Sequence, residues 1–349
     1  MTGQTPRAVR RRRAFLLGTA GVLVGALAAG ALWARSALLL PASPGDASPV
    51  LVDVAPGMEL GSIAALLQRK GVVRSAWGFE LLARREGLAA SLEAGSYALS
   101  PGLAPGSVLR RIARGDVASI SVTIPEGASA VQVVSDLAAA GFGGSRLAAA
   151  VGDPALLGAA GLPAPAPGVR TALEGYLFPA TYALPPDATP DAILAAMLGR
   201  FRAAWTPQLA ADASRTGLSL AQTVTLASIV QREVSQPAQM PLVAGVYLNR
   251  LRAGLDLDAD PAVLYALGLP GQAGALTSAE LSVHSPYNTY RHKGLPPGPI
   301  CNPGAAALAA AAAPAQTSAL YFITTPSGGL VLADTLAQQQ ANQAKYLGG

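Results

Sequence analysis

Hydrophobic positions in this chain fall into short runs, each closed by its own turn residues. Val50–Val54 alternates apolar and polar positions and predicts a strand. Ser62–Lys70 and Ser75–Glu86 carry helical spacing and are closed by Gly71 and Gly87. Ile120–Ile124 alternates again, and Ser129–Ala140 reads as a helix stopped at Gly141. From Ser219 the pattern sharpens. Ser219 and Gln222 form a capping box for a helix running to about Val234, and Thr277 with Glu280 form a second box. Pro241–Ala253 predicts the next helix, with Gly254 just past its end. Asp260-Pro261 reads as an N-cap and first-turn proline for a short helix ending at Gly268. His284–Gly304 shows neither period. A loop of that length with several aromatics is more often functional than structureless. An alanine helix follows Asn302-Pro303, then a hairpin of Leu320–Thr324 and Gly329–Leu332, then a last helix over Thr335–Leu347.

A weak internal echo relates residues 56–63 to residues 101–108. Each is a Pro-Gly turn feeding a helix, with a serine, Ser62 or Ser107, expected near the cap.

The N-terminus is of another kind. Residues 14–34 are uncharged and apolar, and as a helix they span about 32 Å, the thickness of a bilayer core. Arg10–Arg13 lie directly before them, so the expected topology is a single-pass anchor with residues 1–13 in the cytoplasm and the rest outside. A cleaved signal peptide is the competing reading, although its apolar region is usually shorter. Residues 35–49 are rich in Pro, Ser and Gly and read as a linker. Residues 50–117 form a small α+β stretch and residues 118–347 the main domain.

Composition adds exclusions. Of 349 residues, 51% are hydrophobic and 13% charged, which is far from a disordered chain. The net charge of +5 would suit a nucleic-acid binder, but six arginines precede residue 36 with no acid among them. The remainder is close to neutral, so no nucleic-acid partner is expected. One cysteine and two histidines fall short of a Cys/His zinc site.

Few residues carry candidate chemistry. Glu233 continues a helix face otherwise formed by Leu226, Gln222, Ile229 and Val230. A carboxyl on such a stripe would be desolvated, hold its proton near neutral pH and suit a general acid. The alternative is a solvated glutamate paired with Arg232 or Arg250. Cys301 with His292 is a weaker thiol reading, since a lone cysteine is more often packing. Asp256, Asp258 and Asp260 alternate as if for calcium, but no EF-hand glycine or closing glutamate follows. Asp260 is adequately explained as a cap.

Several of these segments together resemble one family. Leu226–Glu233 (LASIVQRE) is similar to the central helix motif of the YceG-like endolytic murein transglycosylases. Val246–Leu251, Asp260-Pro261 with Tyr265, Ser285–Tyr290, Gly294–Ile300, Asn302–Gly304, Glu174–Tyr182 and Pro125–Gly127 resemble its further motifs, in the same order. Gln231 stands where the family's helix carries a first Glu, so Glu233 is the position left for the acid. Leu330 and Gln339 stand where the family often has His.

The resemblance implies an α+β fold: a membrane anchor, a LysM-like α+β subdomain and a mixed α/β YceG-like catalytic domain. It implies cleavage of the MurNAc-GlcNAc β-1,4 bond within nascent peptidoglycan strands, leaving 1,6-anhydroMurNAc ends and terminating strand growth. Glu233 would be catalytic; Glu174, Asn249, Arg250, Tyr287, Asn288, Thr289 and Tyr290 would bind substrate or orient the loop. No metal or cofactor is expected. The expected partners are glycan strands, the membrane and penicillin-binding synthases, and the expected location is the cell (inner) membrane with the catalytic domain outside. A site with one candidate carboxyl fits a lyase, because hydrolases typically use a second. The alternative function is a non-catalytic, membrane-anchored peptidoglycan-binding scaffold for wall synthases.

Overall fold

The structure, a computed structural model, describes residues 29–30, 35–36, 38–269 and 276–347. Apart from residues 29 and 30, the expected span over 14–34 lies outside the described residues. Among the described residues no helix is long and apolar enough to cross a membrane. The chain divides into two units, one ending at Ser119 and including Pro185–Asp187, the other made of Ile120–Leu184 and Ala188 onward.

In the first unit β1 (Val50–Val54) turns Val52 and Val54 inward while Leu51 and Asp53 face solvent. Helices α1 (Leu60–Arg69) and α2 (Ala76–Arg85) follow, then β2 (Gly95–Leu99) and α3 (Pro105–Ala113). β1 and β2 pair antiparallel, with Val50 opposite Leu99 and Val54 opposite Gly95. Ile63, Leu67, Phe79, Tyr97, Leu109 and Ile112 fill the core between them. Ser75 caps α2, accepting from the Gly78 N–H at 3.2 Å. The echoed serines do not cap. The cap positions are Glu59 and Ala104, neither with a side-chain bond, and Ser62 and Ser107 fall two residues inside their helices. At α3 a proline opens the helix, and its missing N–H reduces what a cap must satisfy.

The second unit begins with β3 (Ile120–Ile124), α4 (Ala130–Ala139), α5 (Gly144–Ala150), α6 (Ala155–Ala159) and β4 (Ala180–Leu184). β3 and β4 pair antiparallel, Ile120 opposite Leu184. Then come α7 (Pro190–Ala204), α8 (Pro207–Ser214), α9 (Leu220–Glu233), α10 (Met240–Arg252), α11 (Asp260–Leu267) and α12 (Ser278–Leu281). The chain closes with α13 (Ala305–Ala312), the antiparallel hairpin of β5 (Tyr321–Thr324) and β6 (Leu330–Ala333), and α14 (Leu336–Tyr346). α9 is the central post: every residue from Thr223 to Val230 is buried. The alanines of α13 let it pack closely on both α9 and α10. Between α12 and α13 the long segment is irregular, as expected.

Candidate active site

Local sequence places α9. Ser219 Oγ accepts from the Gln222 N–H at 3.3 Å, and Gln222 Oε1 accepts from the Ser219 N–H at 2.9 Å, so the expected capping box forms. The box fixes the start of a helix whose last residue is Glu233. At that end the helix is tied to the long loop. Ser228 Oγ accepts from the Ile300 N–H at 3.0 Å, and Gln231 Oε1 accepts from the Gly304 N–H at 2.9 Å. A Cβ on Gly304 would lie 2.1 Å from the Glu126 carboxyl carbon, so the end of that exposed side chain rests directly against the glycine. The Pro-Glu-Gly and Asn-Pro-Gly motifs therefore meet beside the end of α9.

Glu233 lines a cavity of about 430 Å³ together with residues of α10, α11, the β5–β6 hairpin and α14. It is partly exposed, toward this space. Its Oε1 accepts from the Tyr247 hydroxyl at 2.6 Å. Burial pushes the carboxyl up to about 7; the Tyr247 hydrogen bond acts in the opposite direction, and the Asp260 carboxylate adds to the rise. The alternative pairing of Glu233 with Arg250 does not form. Arg250 pairs with Asp258, donates to the carbonyls of Asp256 (2.7 Å) and Leu320 (3.1 Å), and stacks over Tyr321.

Asp260 differs from expectation. The cap is Ala259, which makes no side-chain bond, and Asp260 is the first helical residue. Thr289 accounts for the shift: its hydroxyl accepts from the Ala259 N–H at 2.9 Å and approaches the Ala259 carbonyl at 3.3 Å. The Asp260 carboxylate is left to accept from the Tyr290 hydroxyl at 2.5 Å, on the wall of the same cavity. The cavity thus holds two carboxylates besides Glu233, those of Asp258 and Asp260. With further carboxylates present, the number of carboxyls does not separate a lyase from a hydrolase here. Asp258 and Asp260 are taken by Arg250 and Tyr290, and among the described residues no group of His, Cys, Asp and Glu is placed to hold a metal ion.

Of the residues singled out in the sequence, Glu233, Arg250 and Tyr290 share this cavity. The other five do not line it and are built into the framework. Glu174 is 1% exposed; it accepts from the Ala130 N–H (2.9 Å), the Asn302 amide (3.3 Å) and the Tyr265 hydroxyl (3.1 Å). Asn249 donates to the carbonyls of Thr317 and Ala319, holding the segment before β5. The Tyr287 hydroxyl accepts from the Arg170 N–H, and its ring packs on Tyr265. Asn288 donates to the Leu281 and Val283 carbonyls and accepts from the Tyr290 N–H. Asn288 and Thr289 thereby set Tyr290 and Asp260 in place without exposing surface of their own. The thiol reading fails on burial: Cys301 is fully buried with its thiol pushed well above the usual range, whereas His292 is exposed.

Sequence reasoning gave no role to Tyr247 or Tyr321, marked Gln339 of α14 only as a departure from the family pattern, and misread Asp260 as a cap. The available signal for Tyr247 was its spacing from Arg250, three residues apart on one helix face.

An endolytic murein transglycosylase of Bacillus subtilis (strain 168) is 28% identical over 329 residues, covering 91% of this chain and 90% of the relative. One from Streptococcus pneumoniae (serotype 2, strain D39) is 28% identical over 317 residues; the match covers 84% of this chain and 57% of that longer protein. The crystal structure of a YceG-like protein from Listeria monocytogenes superposes with a TM-score of 0.59 at 28% identity, covering 84% of this chain and 99% of that one. The YceG-like family model matches residues 52–345, and the chain belongs to that family.

Proposed function

We propose that this protein is an endolytic murein transglycosylase in which Glu233 is the general acid and base. The observation that carries the assignment is the carboxyl of Glu233 at the end of a buried helix, facing a cavity, hydrogen-bonded by Tyr247 and raised to about 7, while the two other carboxylates of the cavity are engaged by Arg250 and Tyr290. Near neutral pH such a group exists in both forms, which a step that first gives and then recovers a proton requires. Glu233 protonates the glycosidic oxygen between MurNAc and GlcNAc. The C6 hydroxyl of the muramic acid then closes on its own C1 and yields its proton to Glu233. The attacking group is part of the substrate and enters at high effective molarity. Arg250, Tyr290 and Tyr321 supply donors and aromatic faces suited to sugar.

The same reading gives the N-terminal part its role. Residues 14–34 anchor the chain in the cell membrane and keep both units outside, where peptidoglycan lies. Residues 50–117 act as a LysM-like unit engaging glycan strands. Cutting nascent strands would place the enzyme beside penicillin-binding synthases and limit strand length.

The test is Glu233→Gln, which keeps size and removes the proton cycle. Formation of 1,6-anhydroMurNAc ends from purified glycan strands should fall at least about a hundredfold with an unchanged thermal midpoint. Mass spectrometry separates an anhydro end from a hydrolytic one, which is a water heavier. Near wild-type anhydro formation by the folded variant would sink the assignment. Hydrolytic ends from the wild type would transfer attention to Asp260 as a water-activating base. No cleavage at all would favour a binding scaffold.

A further inference from the structure

Tyr247 lies one helical turn before Arg250 on α10, 2% exposed, with its ring edge-on to Phe322 at 5.8 Å. Packing would account for an apolar ring there and leaves the hydroxyl unexplained. That hydroxyl makes one hydrogen bond, to Glu233 Oε1 at 2.6 Å, the short distance of a strong O–H···O contact. We propose that Tyr247 is a positioning residue that makes Glu233 a one-oxygen proton shuttle, with Oε1 held by the tyrosine and both proton transfers confined to Oε2.

The inference rests on the assignment of Glu233 above and adds a direction to it. A carboxyl with two free oxygens can carry its proton on either and rotate between them. With Oε1 accepting from Tyr247, the acidic hydrogen belongs on Oε2. In the first step the Oε2–H bond breaks, the leaving oxygen gains the proton, and the electron pair of the C1–O bond goes with that oxygen. In the second, the C6–O–H bond breaks, the new C6–O–C1 bond forms and the proton returns to Oε2. No water or net proton is consumed. Between the two steps Glu233 is an anion, and the hydrogen bond from Tyr247 becomes charge-assisted. Tyr247 therefore favours the intermediate over the starting acid. Burial and the neighbouring Glu233 carboxyl push the tyrosine hydroxyl well above its ordinary range, so it remains a donor throughout.

Other groups near Glu233 set the background for any titration. They are Arg250 on the same helix, Asp258 in the loop before α11, Asp260 on α11, Tyr290 in the long loop and Tyr321 on β5; α14 contributes only amides. Tyr247 is the one that touches the carboxyl directly.

The test compares wild type, Tyr247→Phe and Glu233→Gln in the full chain, following anhydro-end formation against pH. Phenylalanine keeps the ring contact with Phe322, so the thermal midpoint should hold. The rate should drop about ten- to a hundredfold, the usual worth of a hydrogen bond to a charged group. The alkaline limb, which reports loss of the acid form, should move to higher pH. Replacing Tyr247 with 3-fluorotyrosine keeps the fold and makes the donor more acidic; the limb should then move to lower pH. A purely structural tyrosine would move neither limb. An unchanged rate and limb in Tyr247→Phe, with Glu233→Gln inactive, would overturn the role of Tyr247 alone. An active Glu233→Gln would overturn the assignment of Glu233 and this inference with it.

Discussion

Glu174 is buried and Glu233 half-buried, and these two carboxyls of the second unit are raised to about 8 and about 7 in different surroundings. Glu174 is 1% exposed and held by three donors beside a separate cavity of about 320 Å³, whereas Glu233 is half-buried, with one donor, in the cavity of Asp260 and Tyr290. The main cause at Glu174 is burial, opposed by the hydrogen bonds of Ala130 and Tyr265 and by Arg170. The sign for stability follows directly. A carboxyl whose folded value lies above its unfolded one favours the fold fully below about 4.5, and that contribution is lost as pH rises through about 8. The thermal midpoint should therefore decline between about pH 5 and 8, and Glu174→Gln, which keeps an acceptor for Ala130, should flatten the decline. Parallel curves for the two proteins would show that Glu174 does not set it. At this scale the sequence was half legible. The apolar stripe leading to Glu233 follows from helix periodicity alone. The partners that tune it do not, because Tyr247 and Asp260 reach it through packing between helices. Asp260 looked like a cap because Asp-Pro is a strong local signal, and the competing claim of Thr289 on Ala259 comes from 30 residues away.

Elements were read best where the signal is contained within four residues. The boxes at Ser219 and Thr277 form as expected, and Ser129 with Gln132 and Thr335 with Gln338 form two more. β2 and β4 escaped notice. Each is five residues long and is defined by a partner more than 40 positions away, as Gly95 is by Val54. The segment Ser285–Tyr290 was read as a sugar-binding loop; its Asn288 and Thr289 are buried and brace Ala259 and Tyr290, and Tyr290 lines the cavity. Thr289 holds both polar groups of Ala259, so Thr289→Val tests the brace with little change of shape. Losing the partner of a buried N–H should cost about 1–3 kcal/mol. Turnover should fall as well, since Asp260 and Tyr290 depend on the same segment. Chemical denaturation and product assays on one preparation check both; a drop in stability with full turnover would separate the brace from the site.

For the whole molecule, the prediction concerns its place in the cell. The arginines before residue 14 and the apolar run after them favour an uncleaved anchor with both units outside. A reporter fused after residue 45 should be active only outside the cytoplasm and should sediment with membranes. Recovery of a soluble form beginning near residue 35 would establish a cleaved signal instead.

Asn302 bears on how such a chain acquires its structure. Its amide oxygen accepts from the N–H groups of Gly175 and Leu177, and its amide nitrogen donates to the carbonyl of Ala128, 174 positions earlier. In the first unit β1 and β2 complete the only strand pairing among its described residues by Leu99, and the latest residues it takes in are Pro185–Asp187. Chains made from the N-terminus tend to fold region by region as they emerge, and contacts of long sequence separation form slowly. The first unit can therefore mature while the second is still being delivered. The second must wait until Asn302 arrives, with Glu174 and the start of α4 lacking their shared partner until then. During that interval the unfinished unit exposes apolar helices to its neighbours, so its yield should depend more on chaperones and crowding than on the stability of the finished fold.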